Sequence, residues 1–232
     1  RQIAGAMAKR IVNYAAENAE VKARVAEASV PLEEIRQKVV ASTTAAIDGD
    51  RGNCRARECQ MGTLIADAML DRVADQGVQI AIQNGGGIRA SIDAGDVTMG
   101  EVLTVLPFQN TLSTFEVSGA VIIEALENGA SQMEEGAGRF PQVAGMTYTV
   151  TPANEAGSRI SDVMVAGAPI DPAATYRVVS NNYVRNGGDG YSMFEDAMNA
   201  YDFGPDLADV TAEFIAANAP YQPYTDGRIT MK

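Results

Sequence analysis

The chain has 232 residues, 46% of them hydrophobic, which suits one large domain or a domain with an added arm. Its formal charge of −12 disfavours a polynucleotide partner, and it contains no histidine, the commonest metal ligand and neutral-pH general base. No run approaches the roughly 20 apolar residues of a membrane-spanning helix.

Arg1 opens directly into an Ala-rich helical pattern without a leader, so the start is expected to be internal to a longer precursor. From Ile3 to about Lys38, apolar residues at Ile3, Met7, Ile11, Tyr14, Val21 and Val25 recur at helical spacing. This predicts a helical arm (residues 1–38) broken by Pro31, with a second short helix over Leu32 to Val39. The arm is either an ordinary packed helix or a connector to an upstream domain.

An extended stretch then leads to Asp48-Gly49-Asp50 and the segment Cys54-Arg55-Ala56-Arg57-Glu58-Cys59. Two cysteines are too few for a zinc cage, and no histidine is present to activate a thiolate. A short disulfide loop formed in an oxidising compartment is the preferred reading, with a pair of free thiols as the alternative. Next, Met61, Leu64, Ile65, Ala68, Met69 and Val73 share one helix face. Val78 to Ile82 reads as a buried strand stopping at Asn84-Gly85-Gly86-Gly87, and Thr98-Met99-Gly100-Glu101 as a capping box that opens a helix.

Leu112 to Val117 reads as a strand, with Ser118 capping a helix that carries Val121, Ile122, Ala125 and Leu126 and that Gly129 can end. Met146 to Val150, Ile160 to Val165 and Tyr176 to Ser180 are strand candidates. Leu207 to Asn218 makes a closing helix behind Pro205 and Asp206. The alternation of strands and helices predicts an α/β fold.

Three loops carry chemistry. In Asn84-Gly85-Gly86-Gly87-Ile88-Arg89, glycines let backbone amides approach a ligand and Arg89 offers a planar charged fork. It has neither the Lys-Ser/Thr of a P-loop nor a dinucleotide fingerprint, and alone it reads equally as a tight turn. Leu106-Pro107-Phe108-Gln109-Asn110 holds an aromatic behind a rigid proline, and Asn182 to Tyr191 places Tyr183 and Asp189 among three glycines. Together, two aromatics can sandwich a flat base, arginines can take phosphate, and a carboxylate can accept from ribose hydroxyls.

Taken in order, Cys54 to Gly62, Asn84 to Arg89, Leu106 to Asn110 and Asn186 to Tyr191 resemble the 5'-nucleotidase C-terminal domain. Arg139 to Gly145 is similar to the segment before that family's later strands. The family includes UDP-sugar hydrolases. The resemblance covers residues 39–232 and implies a four-layer α/β/β/α nucleoside-binding domain with mixed sheets. In it, Phe108 and Tyr183 would stack on the base and Asp189 would bind the ribose. Asn84 would meet base or ribose edges, and Arg55 and Arg89 the phosphate or nearby sugar oxygens. Gly86, Gly87, Arg57 and Gln109 are secondary carry-overs. Position 183 is usually Phe in the family, so the Tyr183 hydroxyl needs a partner of its own.

The resemblance also implies a secreted hydrolase, periplasmic or extracellular, acting in nucleotide catabolism. Its catalysis belongs to an N-terminal metallophosphoesterase domain that holds two divalent metals. No catalytic or metal-ligating residue is expected in this chain, which alone should be inactive. The alternative is a free-standing nucleotide-binding protein without hydrolytic activity.

Overall fold

The computed structural model describes residues 17–232, so the arm positions Ile3, Met7, Ile11 and Tyr14 lie outside the described residues. Two compact units divide between Ile35 and Arg36. Helix α1 (Ala19–Gln37) begins where the Asn18 side chain accepts from the Glu20 and Val21 amides. It runs through Pro31 without the expected break, and no second helix starts at Leu32. Proline costs the helix one backbone donor. The Ala, Glu, Lys and Arg residues on either side have high helix propensity and carry the helix across.

The second unit continues with β1 (Val39–Thr43), α2 (Arg51–Cys54), α3 (Gln60–Arg72) and β2 (Ile80–Asn84). After β3 (Gly95–Thr98) comes α4 (Met99–Val105), opened by the predicted capping box: Thr98 and Glu101 each bond the other's backbone amide. Then follow β4 (Leu112–Ser118), α5 (Gly119–Ala130), β5 (Pro141–Ala144), β6 (Met146–Val150), β7 (Ile160–Val165) and β8 (Ala168–Pro169). The chain closes with β9 (Thr175–Asn181), α6 (Asn182–Arg185), β10 (Met198–Tyr201), α7 (Leu207–Ala217) and β11 (Ile229–Met231). Gly129 lies inside α5 rather than beyond it. A Cβ there would fall 2.5 Å from the Pro141 ring, so this glycine serves close packing instead of helix termination.

A five-stranded mixed sheet of order β10-β4-β9-β2-β5 forms the centre, with β2 and β9 parallel and the other pairs antiparallel. Because successive strand residues face opposite ways, this sheet feeds two cores. Ala81 and Val179 point into one, formed with α3 and α7. Ile80, Ile82 and Val178 point into the other, shared with α5 and a second sheet of order β11-β6-β7-β8. Leu64, Ile65 and Met69 of α3 are fully buried, each worth about 1.5–3 kcal/mol relative to exposure. The result is a mixed α/β architecture with stacked sheets. The central neighbours β2 and β9 run parallel, so their carboxyl ends, Asn84 and Asn181, open side by side where the loops diverge.

Candidate functional site

At those strand ends a buried amide network forms a floor. Asn181 Nδ2 donates to Gln83 Oε1 (2.9 Å) and Asn84 Oδ1 (3.0 Å), while Asn181 Oδ1 accepts from the Val184 amide and caps α6. Asn84 Nδ2 is thereby aimed outward, donating to Asp189 Oδ2 at 2.6 Å. Beyond Asn84, the Gly85–Gly87 turn is tied to the segment before β5 by Gly85 N–H to Phe140 O and Gly86 N–H to Gly138 O. A Cβ on Gly86 would fall 2.8 Å from the Gly138 Cα, so both positions need glycine for the backbones to meet.

The rim stands on four loops. Arg89 donates to the Gly86 carbonyl, and its guanidinium carbon lies 5.7 Å from the centre of the Phe108 ring. Phe108 is 55% exposed and Tyr183 47% exposed, so both rings leave apolar surface open to a ligand. On the fourth loop Cys54 and Cys59 are joined by a disulfide, and Arg55 Nη1 donates to Gly136 O at 2.9 Å. Arg55 Nε is buried without a partner. The loop is held a second time by buried Gln142, whose Nε2 donates to the Cys54 and Arg57 carbonyls and whose Oε1 accepts from the Cys59 amide.

These parts enclose a cavity of about 540 Å³, large enough for a small-molecule ligand. Arg55, Asn84, Arg89, Phe108, Tyr183 and Asp189 all line it, as do Gly86 and Gly87. Arg57 and Gln109 are not in the lining. Arg57 contributes its carbonyl to Gln142 instead, and Gln109 sits at φ 52°, the turn residue between Phe108 and Asn110. Sequence reasoning passed over two lining residues, Asn110 and Gly138. Asn110 lay inside a recognised motif, whereas Gly138 is revealed only by its contact with Gly86.

A second cavity, of about 580 Å³, lies near Asp226 and Arg228. There Arg228 is already satisfied by Asp226 and Asp67 at 2.8 and 2.7 Å. The first cavity is therefore where charge and aromatic surface remain available.

Residues 39–196 match the family model described as 5'-nucleotidase, C-terminal domain. The chain belongs to this family. It is 42% identical over 226 residues to the trifunctional nucleotide phosphoesterase protein YfkN of Bacillus subtilis, covering 94% of this chain and 16% of that protein. The human 5'-nucleotidase is 29% identical, with 92% and 40% covered. A crystal structure of a 5'-nucleotidase precursor from Thermus thermophilus superposes with a TM-score of 0.86 at 40% identity, covering 91% of this chain and 43% of that one. This domain thus spans less than half the length of these relatives.

A metal does not fit the cavity. Its lining offers a single carboxylate, Asp189, with both oxygens already accepting from side chains. Among the described residues there is no group of three or more Asp, Glu or Cys side chains that could hold a metal ion. No helix among them is long and apolar enough to cross a membrane. What the lining can do is bind: two aromatic faces, two guanidinium groups, one oriented amide and one fixed carboxylate converge on a single space.

Proposed function

We propose that this domain binds the nucleoside part of a nucleotide or nucleotide sugar and presents its phosphate to a metal-bearing phosphoesterase domain. The observation that carries the reading is the convergence of Phe108, Tyr183, Asp189, Arg55 and Arg89 on one cavity. Phe108 and Tyr183 take the base between them, Asp189 accepts from the ribose hydroxyls, and Asn84 meets a polar edge. Arg55 and Arg89 hold phosphate or sugar oxygens near the mouth.

Residues 39–232 are the binding domain in this reading, and residues 1–38 the connector. Hydrolysis belongs to the phosphoesterase domain with its two divalent metals, because guanidinium groups stay protonated and cannot generate a hydroxide nucleophile. The Cys54–Cys59 disulfide supports a periplasmic or extracellular setting.

The test is an assay of phosphate release from AMP, and of UMP formation from UDP-glucose and its dephosphorylation, with added Mn, Co, Zn or Mg ions. The chain by itself is expected to release no phosphate, and a polypeptide joining it to a phosphoesterase domain is expected to hydrolyse the substrate. Metal-dependent phosphate release by the purified chain, abolished by Asp189→Ala or Arg89→Ala, would overturn this division of labour.

A further inference from the structure

Asp189 occupies an uncommon backbone state. It sits at φ 55° in the turn Gly188–Gly190, a left-handed conformation that a non-glycine residue adopts only when its surroundings hold it. Four hydrogen bonds do so. Tyr183 Oη donates to Asp189 Oδ1 at 3.0 Å and accepts from the Asp189 amide at 3.2 Å. Asn84 Nδ2 reaches Oδ2, and Asn128 Nδ2 reaches the Asp189 carbonyl at 3.2 Å. The Tyr183 ring is fixed in turn, lying so close to Gly188 that a Cβ there would approach the ring carbons to 2.6 Å. Gly86 and Gly138 leave room on the other side, since a Cβ at either would come within 3.3 Å of Oδ2.

We infer that the Tyr183 hydroxyl is a positioning group that locks the Asp189 carboxylate to receive a vicinal diol, and thereby sets a preference for ribose over sugars lacking those hydroxyls. The inference rests on the nucleoside reading of the cavity and deepens it. An ionised carboxylate has about four acceptor sites. One side-chain donor on each oxygen leaves one site on each free, spaced for two adjacent hydroxyls. Because the carboxylate is ordered before ligand arrives, the ordering cost falls on folding rather than on binding. Burial and then the Asp189 charge push the Tyr183 phenol above its ordinary range, so it remains a donor throughout neutral and mildly alkaline pH. Phenylalanine at this position would keep the stacking face and lose the lock.

The experiment is calorimetric titration of the chain and of Tyr183→Phe with adenosine, uridine and the 2',3'-dideoxy form of each. Losing a hydrogen bond that orients a charged acceptor should weaken ribonucleoside binding by roughly tenfold in Tyr183→Phe. Dideoxynucleoside affinity should change less than about twofold, because the stacking ring remains. Equal losses for both sugars would show that the hydroxyl acts on something other than the diol, and no loss for the ribonucleoside would make Tyr183 a stacking residue only; either overturns the inference while leaving the nucleoside reading intact. If neither ribonucleoside binds the parent chain, the nucleoside reading fails and the inference falls with it. A ligand-free readout accompanies these titrations. In alkaline absorbance titration, Asp189→Asn should lower the phenol transition identified as the one missing from Tyr183→Phe, and an unmoved transition would show that Tyr183 and Asp189 are not coupled.

Discussion

Asn84 and Asn181, at the ends of β2 and β9, are 3% and 0% exposed, whereas Phe108 and Tyr183 above them are 55% and 47% exposed. The floor's polar groups satisfy one another through Gln83, Asn84, Asn181 and the Val184 amide, so their geometry is complete once the sheet has paired. The rim keeps the aromatic surface of Phe108 and Tyr183 in water, where it contributes little to the fold. Changes in the floor should therefore damage folding and binding together, and side-chain truncations at the exposed rim should damage binding alone.

Asn181→Ala should break that comparison open most visibly. It removes two donated bonds and one accepted bond, leaving buried Gln83 Oε1 and the Val184 amide unpaired while Asn84 Oδ1 keeps Gln83 Nε2, and should cost about 3 kcal/mol of stability in urea unfolding. A cost below about 1 kcal/mol would mean that the floor relaxes or admits water. At the rim, Phe108→Ala should cost about 1–3 kcal/mol of nucleotide binding, read by calorimetry. Its unfolding free energy should stay within about 0.5 kcal/mol of the parent.

The Cys54–Cys59 loop, on the rim, is the exception, because both the disulfide and Gln142 tie it down. Reduction should cost about 2 kcal/mol of stability, the chain-entropy value for so short a loop. Nucleotide affinity should stay within about twofold, because Gln142 holds the loop carbonyls and the Cys59 amide independently. A large affinity loss on reduction would show that the disulfide, not Gln142, sets the position of Arg55.

The smallest effect lies away from both regions. The bond from Arg228 holds the Asp226 carboxyl below the ordinary carboxylate range, against opposing desolvation. A depressed folded pKa gives stability that is present above the unfolded value, near 4, and lost as pH falls through the folded one. With the Asp226 side chain 49% exposed, the contribution should be under about 1 kcal/mol. Melting temperatures of Asp226→Asn and the parent should therefore converge below pH 4.

How far the sequence reveals this molecule depends on where each signal resides. The α3 stripe, the Thr98–Glu101 capping box and strands β6 and β7 are written locally, and the structure places them where the pattern does. Strand β5 escapes because Pro-Gln-Val-Ala is buried on both faces and shows no alternation, with its proline at the first position of an edge strand. Strand β10 escapes for the opposite reason, since all four of its residues are exposed. The uninterrupted α1 shows propensity on both flanks outweighing one proline. In the site, loops with glycine and an aromatic after a strand are visible as motifs. Gly138 and the hydrogen bond between Tyr183 and Asp189 are tertiary facts, and motif proximity alone places Arg57 and Gln109 in a lining they do not join.

That this cavity is a nucleoside site is tested by calorimetric titration of the chain with AMP, in parallel with Phe108→Ala and Asp189→Ala. The parent should show saturable one-to-one binding, weakened by about 1–3 kcal/mol in each variant, with Phe108→Ala keeping the parent's unfolding midpoint. AMP that fails to bind the parent, or binds all three proteins equally, would contradict the nucleoside reading.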